Sequence, residues 1–276
     1  MKAFYEDRKY KSAAPVDVSL PRDMSFVAHW HKEIEVMYVL EGELGVGINR
    51  DFRVLSAGEM SICGKNDIHY YSSEGLHSKT VMTIFDPAMI GVKQLGVDFV
   101  TLCSAFLGEI KDAQDRRTVE TLFMSCAEEL SSKNSMYIPL LKLKLNEIFL
   151  LIFRNNPDYR HMCTQKKETV RDEDLKPMQK ALKYLEDNYT DEITLDTMSE
   201  YAGLSPFYFS RLFKNTTGTN FNTYLKQLRI NNAEYLIKTT GGHIIDIAYQ
   251  AGFKSIRTFN RTFMKIRGYT PQSVRK

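Results

Sequence analysis

The sequence predicts an α+β chain of two domains, an amino-terminal β-barrel with two following helices and a carboxy-terminal all-α domain with two helix-turn-helix units. Three observations carry this. Short apolar runs between turn signals fill residues 24 to 87, the apolar period then changes from two to 3.6, and a stretch near residue 202 recurs about fifty residues later.

The strand region contains VMYVL, LGVGI, FRVL, MSIC and TVMTIF. Turn signals separate these runs at Glu41-Gly42, Asn49-Arg50-Asp51, Ala57-Gly58 and Lys65-Asn66-Asp67. Many short strands at this spacing predict a β-sandwich or small barrel. Between about 98 and 153 the helical period takes over. Val119, Leu122, Phe123, Cys126 and Leu130 share one helix face, and a second helix is expected from Ile138 to Phe153 with Pro139 in its first turn. That second helix is apolar nearly all round, so burial on several sides is expected, either against a partner subunit or inside its own domain. Residues 155–173 (NNPDYRHMCTQKKETVRDE) are polar and aperiodic and read as a linker. The expected domains are therefore 1–154 and 174–276, the latter opening with an amphipathic helix from Leu175 to Asn188.

The repeat explains the last hundred residues. Ala202 and Gly203 match Ala251 and Gly252, and Phe209, Arg211, Phe213 and Gly218 match Phe259, Arg261, Phe263 and Gly268. In the first copy Thr194 is the expected N-cap, Gly203 the left-handed stop, and Ser205-Pro206 the restart of a second helix. The second copy runs IIDIAYQA, stops at Gly252 and restarts at Ser255. Helix, glycine turn, helix is the helix-turn-helix pattern, whose second helix enters the major groove. FNTYLKQLRINNAEYLIK between the copies reads as one long connecting helix. It would fix two recognition helices for successive grooves, about 34 Å apart.

The residues expected outward on the recognition helices are Phe207, Tyr208, Ser210, Arg211 and Lys214 in one copy and Ile256, Arg257, Asn260, Arg261 and Lys265 in the other. Arg, Asn and Ser suit guanine, adenine and phosphate, and Phe207 or Ile256 suits a thymine methyl. The expected DNA-contact set is Ser205, Phe207, Tyr208, Ser210, Arg211, Lys214, Ser255, Ile256, Arg257, Asn260 and Arg261. Arg211 and Arg261 head it, as base readers or as phosphate grips.

Charge placement agrees. The chain has a net charge of +3, but from Pro206 onward twelve basic residues face two acidic ones. That asymmetry points to a polyanion, nucleic acid before membrane. No signal-peptide core and no long apolar run is present, and the four cysteines form no CxxC pair. A cytoplasmic protein without a zinc ribbon or disulfide framework is expected.

Residues Leu175 to Lys276 resemble the AraC-type bacterial transcription regulators. GLSPFYFSRLFK, YLKQLRINNAEYL, IIDIAYQAGF and FMKIRGYTPQSVRK carry the likeness; Ser199 stands where the first unit usually has Ala. The resemblance implies a DNA-binding regulator, not an enzyme, acting as a homodimer, with operator DNA, a small-molecule effector and RNA polymerase as candidate partners. The helices of residues 118 to 153 are the candidate dimer contact.

In the barrel, His29, His31 and Glu35 are followed by Gly42, a spacing that resembles the first cupin motif. Gly58 to His69 resembles a degraded second one, with Gly64-Lys65 in place of the usual proline. A cupin-like effector-binding domain is implied. His29, His31, Glu35, Tyr38 and His69 are its candidate effector residues, with Tyr38 a stacking wall or a core aromatic. No cofactor is expected, and a sugar or related hydroxyl-rich effector suits such a lining. The alternative is a metal-dependent cupin enzyme carrying a DNA-binding domain, its metal on His29, His31, Glu35 and His69.

Overall fold

The computed structural model describes residues 14–91, 102–164 and 171–275, the side chains of 164 and 171–174 excepted. They form two compact units, one of residues 14–26 and 30–164, the other chiefly 171–275.

The strands are β1 (Val16–Ser19), β2 (Phe26–His29), β3 (Ile34–Ile48), β4 (Asp51–Ser56), β5 (Met60–Cys63), β6 (His69–Ser72), β7 (Ser78–Phe85) and β8 (Ala105–Leu107). β3 pairs antiparallel with β4, β5, β6 and β7, as does β1 with β7 and β5 with β8. The long strand β3 organises them. Its first half pairs β5 and β7, and its second half pairs β4 and β6.

The turn expected at Glu41-Gly42 is instead a bend inside this one strand. The register against β7 shifts between Val39 and Glu41, and Gly42 has φ 73°. A Cβ on Gly42 would lie 1.9 Å from the His77 carbonyl oxygen, so only glycine lets the strand change partners here. The other turns lie where the sequence places them, with Asn49, Gly58 and Asn66 at positive φ.

Alternation along β3 divides two cores. Val36 and Tyr38 face the cluster that contains Val119, Phe123, Leu145 and Phe149, while Met37 and Val39 face a second cluster with Leu44, Val46, Cys63 and Tyr71. The helices against the first core are α1 (Ala113–Ser132), capped by Asp112, and α2 (Tyr137–Asn155). Helix α2 buries Leu141, Leu145, Ile148, Phe149 and Ile152 but leaves Leu143 67% exposed. Burial inside its own domain therefore covers only part of the helix, and one flank is open in the single chain.

The segment read as a linker contains α3 (Pro157–Thr164), whose Tyr159 and Cys163 join the first core. Residues 165–170 of it, and 98–101 of the expected helical stretch, lie outside the described residues.

The second unit contains α4 (Arg171–Asn188), α5 (Leu195–Tyr201), α6 (Pro206–Thr217), α7 (Phe221–Thr239), α8 (Ile244–Gln250) and α9 (Ile256–Arg267). The expected helices are all present. The two copies of the repeat end their first helices identically. Leu204 N–H donates to Ser199 O at 2.9 Å and Gly203 N–H to Glu200 O at 3.0 Å; Phe253 donates to Ala248 O at 3.1 Å and Gly252 to Tyr249 O at 2.9 Å. This is the Schellman stop, with Gly203 at φ 68° and Gly252 at φ 82°.

Candidate functional site

The two recognition helices are near copies in detail. Helices α6 and α9 have 12 residues each, the Ser205 and Ser255 hydroxyls accept from the Tyr208 and Thr258 amides, and Gly218 and Gly268 close them in the left-handed region. Phe209, Leu212 and Phe213 anchor α6 inward, Phe259 and Phe263 anchor α9. That fixes which side chains are left outside.

Phe207 is 79% exposed, and Tyr208, Arg211, Lys214, Arg257, Asn260, Arg261 and Lys265 are exposed as well. Ser210 is half-buried. Ile256, expected outward, is half-buried and packs on the core of Ile247, Phe259 and Phe263, because the first turn of α9 leans on that core. The hydroxyls of the two cap serines accept from amides of their own helices, which sets each helix start. The Arg211 guanidinium lies over the Tyr208 ring, 5.6 Å from its centroid.

The basic residues of this unit fall into two groups. Arg229 donates to Tyr189 O and Asp191 O, Arg267 to Glu234 and Asn231, and Lys238 to Glu234. These hold the fold. Arg211, Lys214, Arg257, Arg261 and Lys265 make no ion pair among the described residues, and neither α6 nor α9 contains an acid. A helix N-terminus with uncommitted cations and no carboxylate is a surface for phosphate and base edges.

In the first unit a polar cluster is buried. His31, Glu35 and His69 are each 1% exposed. His31 Nε2 and His69 Nε2 both approach Glu35 Oε2, at 3.0 and 3.3 Å, and Tyr71 donates to Glu35 Oε1 at 2.6 Å. Register supplies the arrangement. Glu35 lies opposite Cys63 on β5, and His69 and Tyr71 stand two apart on β6. His29, His31, Glu35 and His69 each offer one ligand atom within 4.8 Å of the others.

The ring nitrogens constrain the charge state. Nδ1 of His29, His31 and His69 faces the carbonyl oxygens of Val27, Glu33 and Asp67, at 3.1, 3.3 and 2.9 Å. A carbonyl only accepts, so Nδ1 carries the proton. For His31 and His69, Nε2 then meets a Glu35 carboxyl oxygen, a contact that a proton shared between ring and carboxyl, or a cation, satisfies. Burial works against the Glu35 charge, but the His69 charge and hydrogen bonds from His31 and His69 outweigh it and hold its carboxyl well below the usual range. Burial likewise works against His69, and Glu35 overcomes it and raises the imidazole.

Sequence reasoning missed two members. Tyr71 donates to Glu35. Glu33 is fully buried with neither carboxylate oxygen hydrogen-bonded among the described residues, and its Oε2 lies 3.5 Å from His31 Nδ1. Glu33 lies outside the His29–His31–Glu35 spacing, and Tyr71 is legible only as i+2 from His69.

Tyr38 is a correction. It lies on the face of β3 opposite Glu35, donates to Glu120 Oε1 at 2.7 Å and stacks on Phe123 at 5.7 Å. It is a core residue and no wall of the polar cluster. Gly64 explains the missing proline: its N–H donates to Ser104 Oγ at 2.7 Å, a bond that proline lacks.

Among the described residues no helix is long and apolar enough to cross a membrane. A family described as "Helix-turn-helix domain" matches residues 198–276. The regulatory protein PocR of Salmonella typhimurium is 31% identical over 137 residues, 49% of this chain and 43% of PocR, so the match spans less than half that protein's length. The melibiose operon regulatory protein of Escherichia coli is 24% identical over 256 residues, covering 90% of this chain and 83% of that protein. The HTH-type transcriptional activator RhaR of Escherichia coli is 24% identical over 277 residues, covering 96% and 92%. Residues 198–276 thus match a helix-turn-helix domain, and the relatives that cover most of the chain are named as an operon regulatory protein and a transcriptional activator.

Proposed function

We propose that this regulator reads an operator with α6 and α9 and is controlled by a small-molecule effector bound at the buried His31–Glu35–His69–Tyr71 cluster. Residues 1–154 would form the effector and dimer domain, 155–173 the connection and 174–276 the DNA-binding domain. The acid-free, uncommitted basic faces of α6 and α9 carry the DNA part. The buried polar cluster carries the effector part, since a fold gains nothing from burying this many ionisable groups unless they are mutually satisfied or meet a ligand. A hydroxyl-rich effector such as a sugar donates to and accepts from such groups, and one relative is named for the melibiose operon. The exposed Met136, Leu140 and Leu143 at the start of α2 support a dimer contact there. RNA polymerase is the further partner on the same reading.

The tautomer constraint on the three histidines favours a second reading, a divalent transition metal held by His29, His31, Glu35 and His69. The donor set fits: three imidazoles with Nδ1 tied to carbonyls and one carboxylate. A metal there would supply charge neutralisation, as effector or as a Lewis acid.

One measurement tests the DNA reading and a second separates organic effector from metal. Binding across a random DNA library should lose preference at different positions for Arg211→Ala and Arg261→Ala, each costing about 1–3 kcal/mol at its own site. Uniform weakening would assign both to phosphate. Thermal melting of the chelator-treated protein against sugars, organic acids and divalent metals should give a shift with one organic ligand. A shift with metal alone, lost in His69→Gln, would replace the organic effector by the ion.

A further inference from the structure

Two of the four cysteines lie together in the first unit. Cys103 precedes β8 and Cys163 ends α3, 60 residues later. The Cys103 amide donates to Cys163 Sγ at 3.5 Å, the Cys103 thiol reaches the Met162 carbonyl at 3.9 Å, and Tyr159 Oη donates to the Cys103 carbonyl at 2.9 Å. Cys103 is partly exposed and Cys163 is buried beside it.

We propose that Cys103 and Cys163 are a thiol pair that hydrogen peroxide converts into an intramolecular disulfide, fastening α3 to the strand segment that leads into β8. The chemistry balances with one peroxide. The thiolate sulfur displaces hydroxide from the peroxide oxygen to give a sulfenic acid. The second sulfur displaces hydroxide from that sulfenic acid to close the S–S bond, and the two hydroxides take up the two thiol protons as water.

The pair differs from the remaining cysteines in the way this chemistry needs. The hydrogen bond from the Cys103 thiol, against the opposing effect of burial, lowers Cys163 to about 7, with the Cys103 amide and Tyr159 adding to it. Burial pushes Cys63 well up, and it pushes Cys126 to about 12. A thiolate held beside a second thiol is the arrangement of a reactive pair, whereas a buried neutral thiol is inert. The neighbouring residue makes the location consequential. Ser104 donates to Asp67 Oδ2, and the Asp67 carbonyl accepts from His69 Nδ1. The strand segment that the disulfide would fasten is therefore tied to the buried cluster.

The test uses the full chain, reduced and then treated with stoichiometric hydrogen peroxide. Expected are the loss of two titratable thiols, a Cys103–Cys163 cross-linked peptide in a non-reducing digest, and full reversal by dithiothreitol. Melting of the oxidised protein should rise by several degrees, since the bond closes a long loop of the unfolded chain. Cys103→Ser and Cys163→Ser should each abolish both the cross-link and the shift, and Cys126→Ser should leave both intact. Equal oxidation of Cys63 or Cys126, cross-links between chains, or sulfinic acid at Cys163 without a cross-link would overturn the proposal. If a serine variant fails to fold, the digest of the wild type alone still decides it.

Discussion

The Arg267 guanidinium donates to the Glu234 carboxylate at 2.6 Å, which fixes the end of the second recognition helix to the connecting helix α7. Lys238 and the Tyr269 hydroxyl share the same carboxylate. Burial opposes the Glu234 charge, but Lys238 and Arg267 together lower its pKa below the ordinary value. A carboxyl with a depressed folded pKa stabilises above its unfolded value, roughly pH 4.3, and that stability is lost as pH falls through the folded value. Glu234→Gln is therefore expected to cost about 1–2 kcal/mol at pH 7 and progressively less as pH falls through 4. Melting of wild type and variant between pH 3 and 7 checks it. A gap that stays constant across that range counts against the assignment.

Arg261 should behave in the opposite way. It is exposed and makes no ion pair among the described residues. Arg261→Ala is expected to leave melting within about 0.5 kcal/mol of wild type while weakening operator binding by about 1–3 kcal/mol. Arg267→Ala should lose stability first. Denaturation and DNA titration of both variants make the comparison.

The two glycine stops are conformationally alike and sterically different. Both have positive φ, but a Cβ on Gly203 meets nothing within 4 Å, whereas one on Gly252 would lie 2.8 Å from Thr190 Cα and 2.9 Å from its carbonyl oxygen. Gly203→Ala should cost about 1 kcal/mol from backbone strain alone. Gly252→Ala should cost more, because backbone must move. Equal costs in chemical denaturation would remove the role given to Thr190.

In the barrel, Tyr38→Phe and Tyr71→Phe separate the two faces of the sheet. Each loses one hydrogen bond to a carboxylate, worth about 1–3 kcal/mol. Only Tyr71→Phe is expected to change the melting shift produced by an effector or metal. An equal change in Tyr38→Phe would place the binding site elsewhere.

What the sequence determined by itself is the helical domain. The cap serines, the stop glycines and the apolar spacing of Phe209, Phe213, Phe259 and Phe263 are local signals, and each fixes a helix boundary or face within a few residues. The repeat then doubles them, and the exposed set follows, except for Ser210 and Ile256, which are half-buried because the core comes closer than spacing alone reveals. The strand types of the barrel and the His29–Glu35 spacing were legible for the same reason. Only the tertiary structure decided that Glu41-Gly42 is a bend within one strand, that Tyr38 turns away from Glu35, and that Tyr71 closes on it. Those depend on which strands pair and in what register, and a shift of one residue exchanges the two faces. The meeting of Cys103 with Cys163 and of Asp67 with Ser104 is decided in the same way, by chain packing across dozens of residues, for which no local pattern exists.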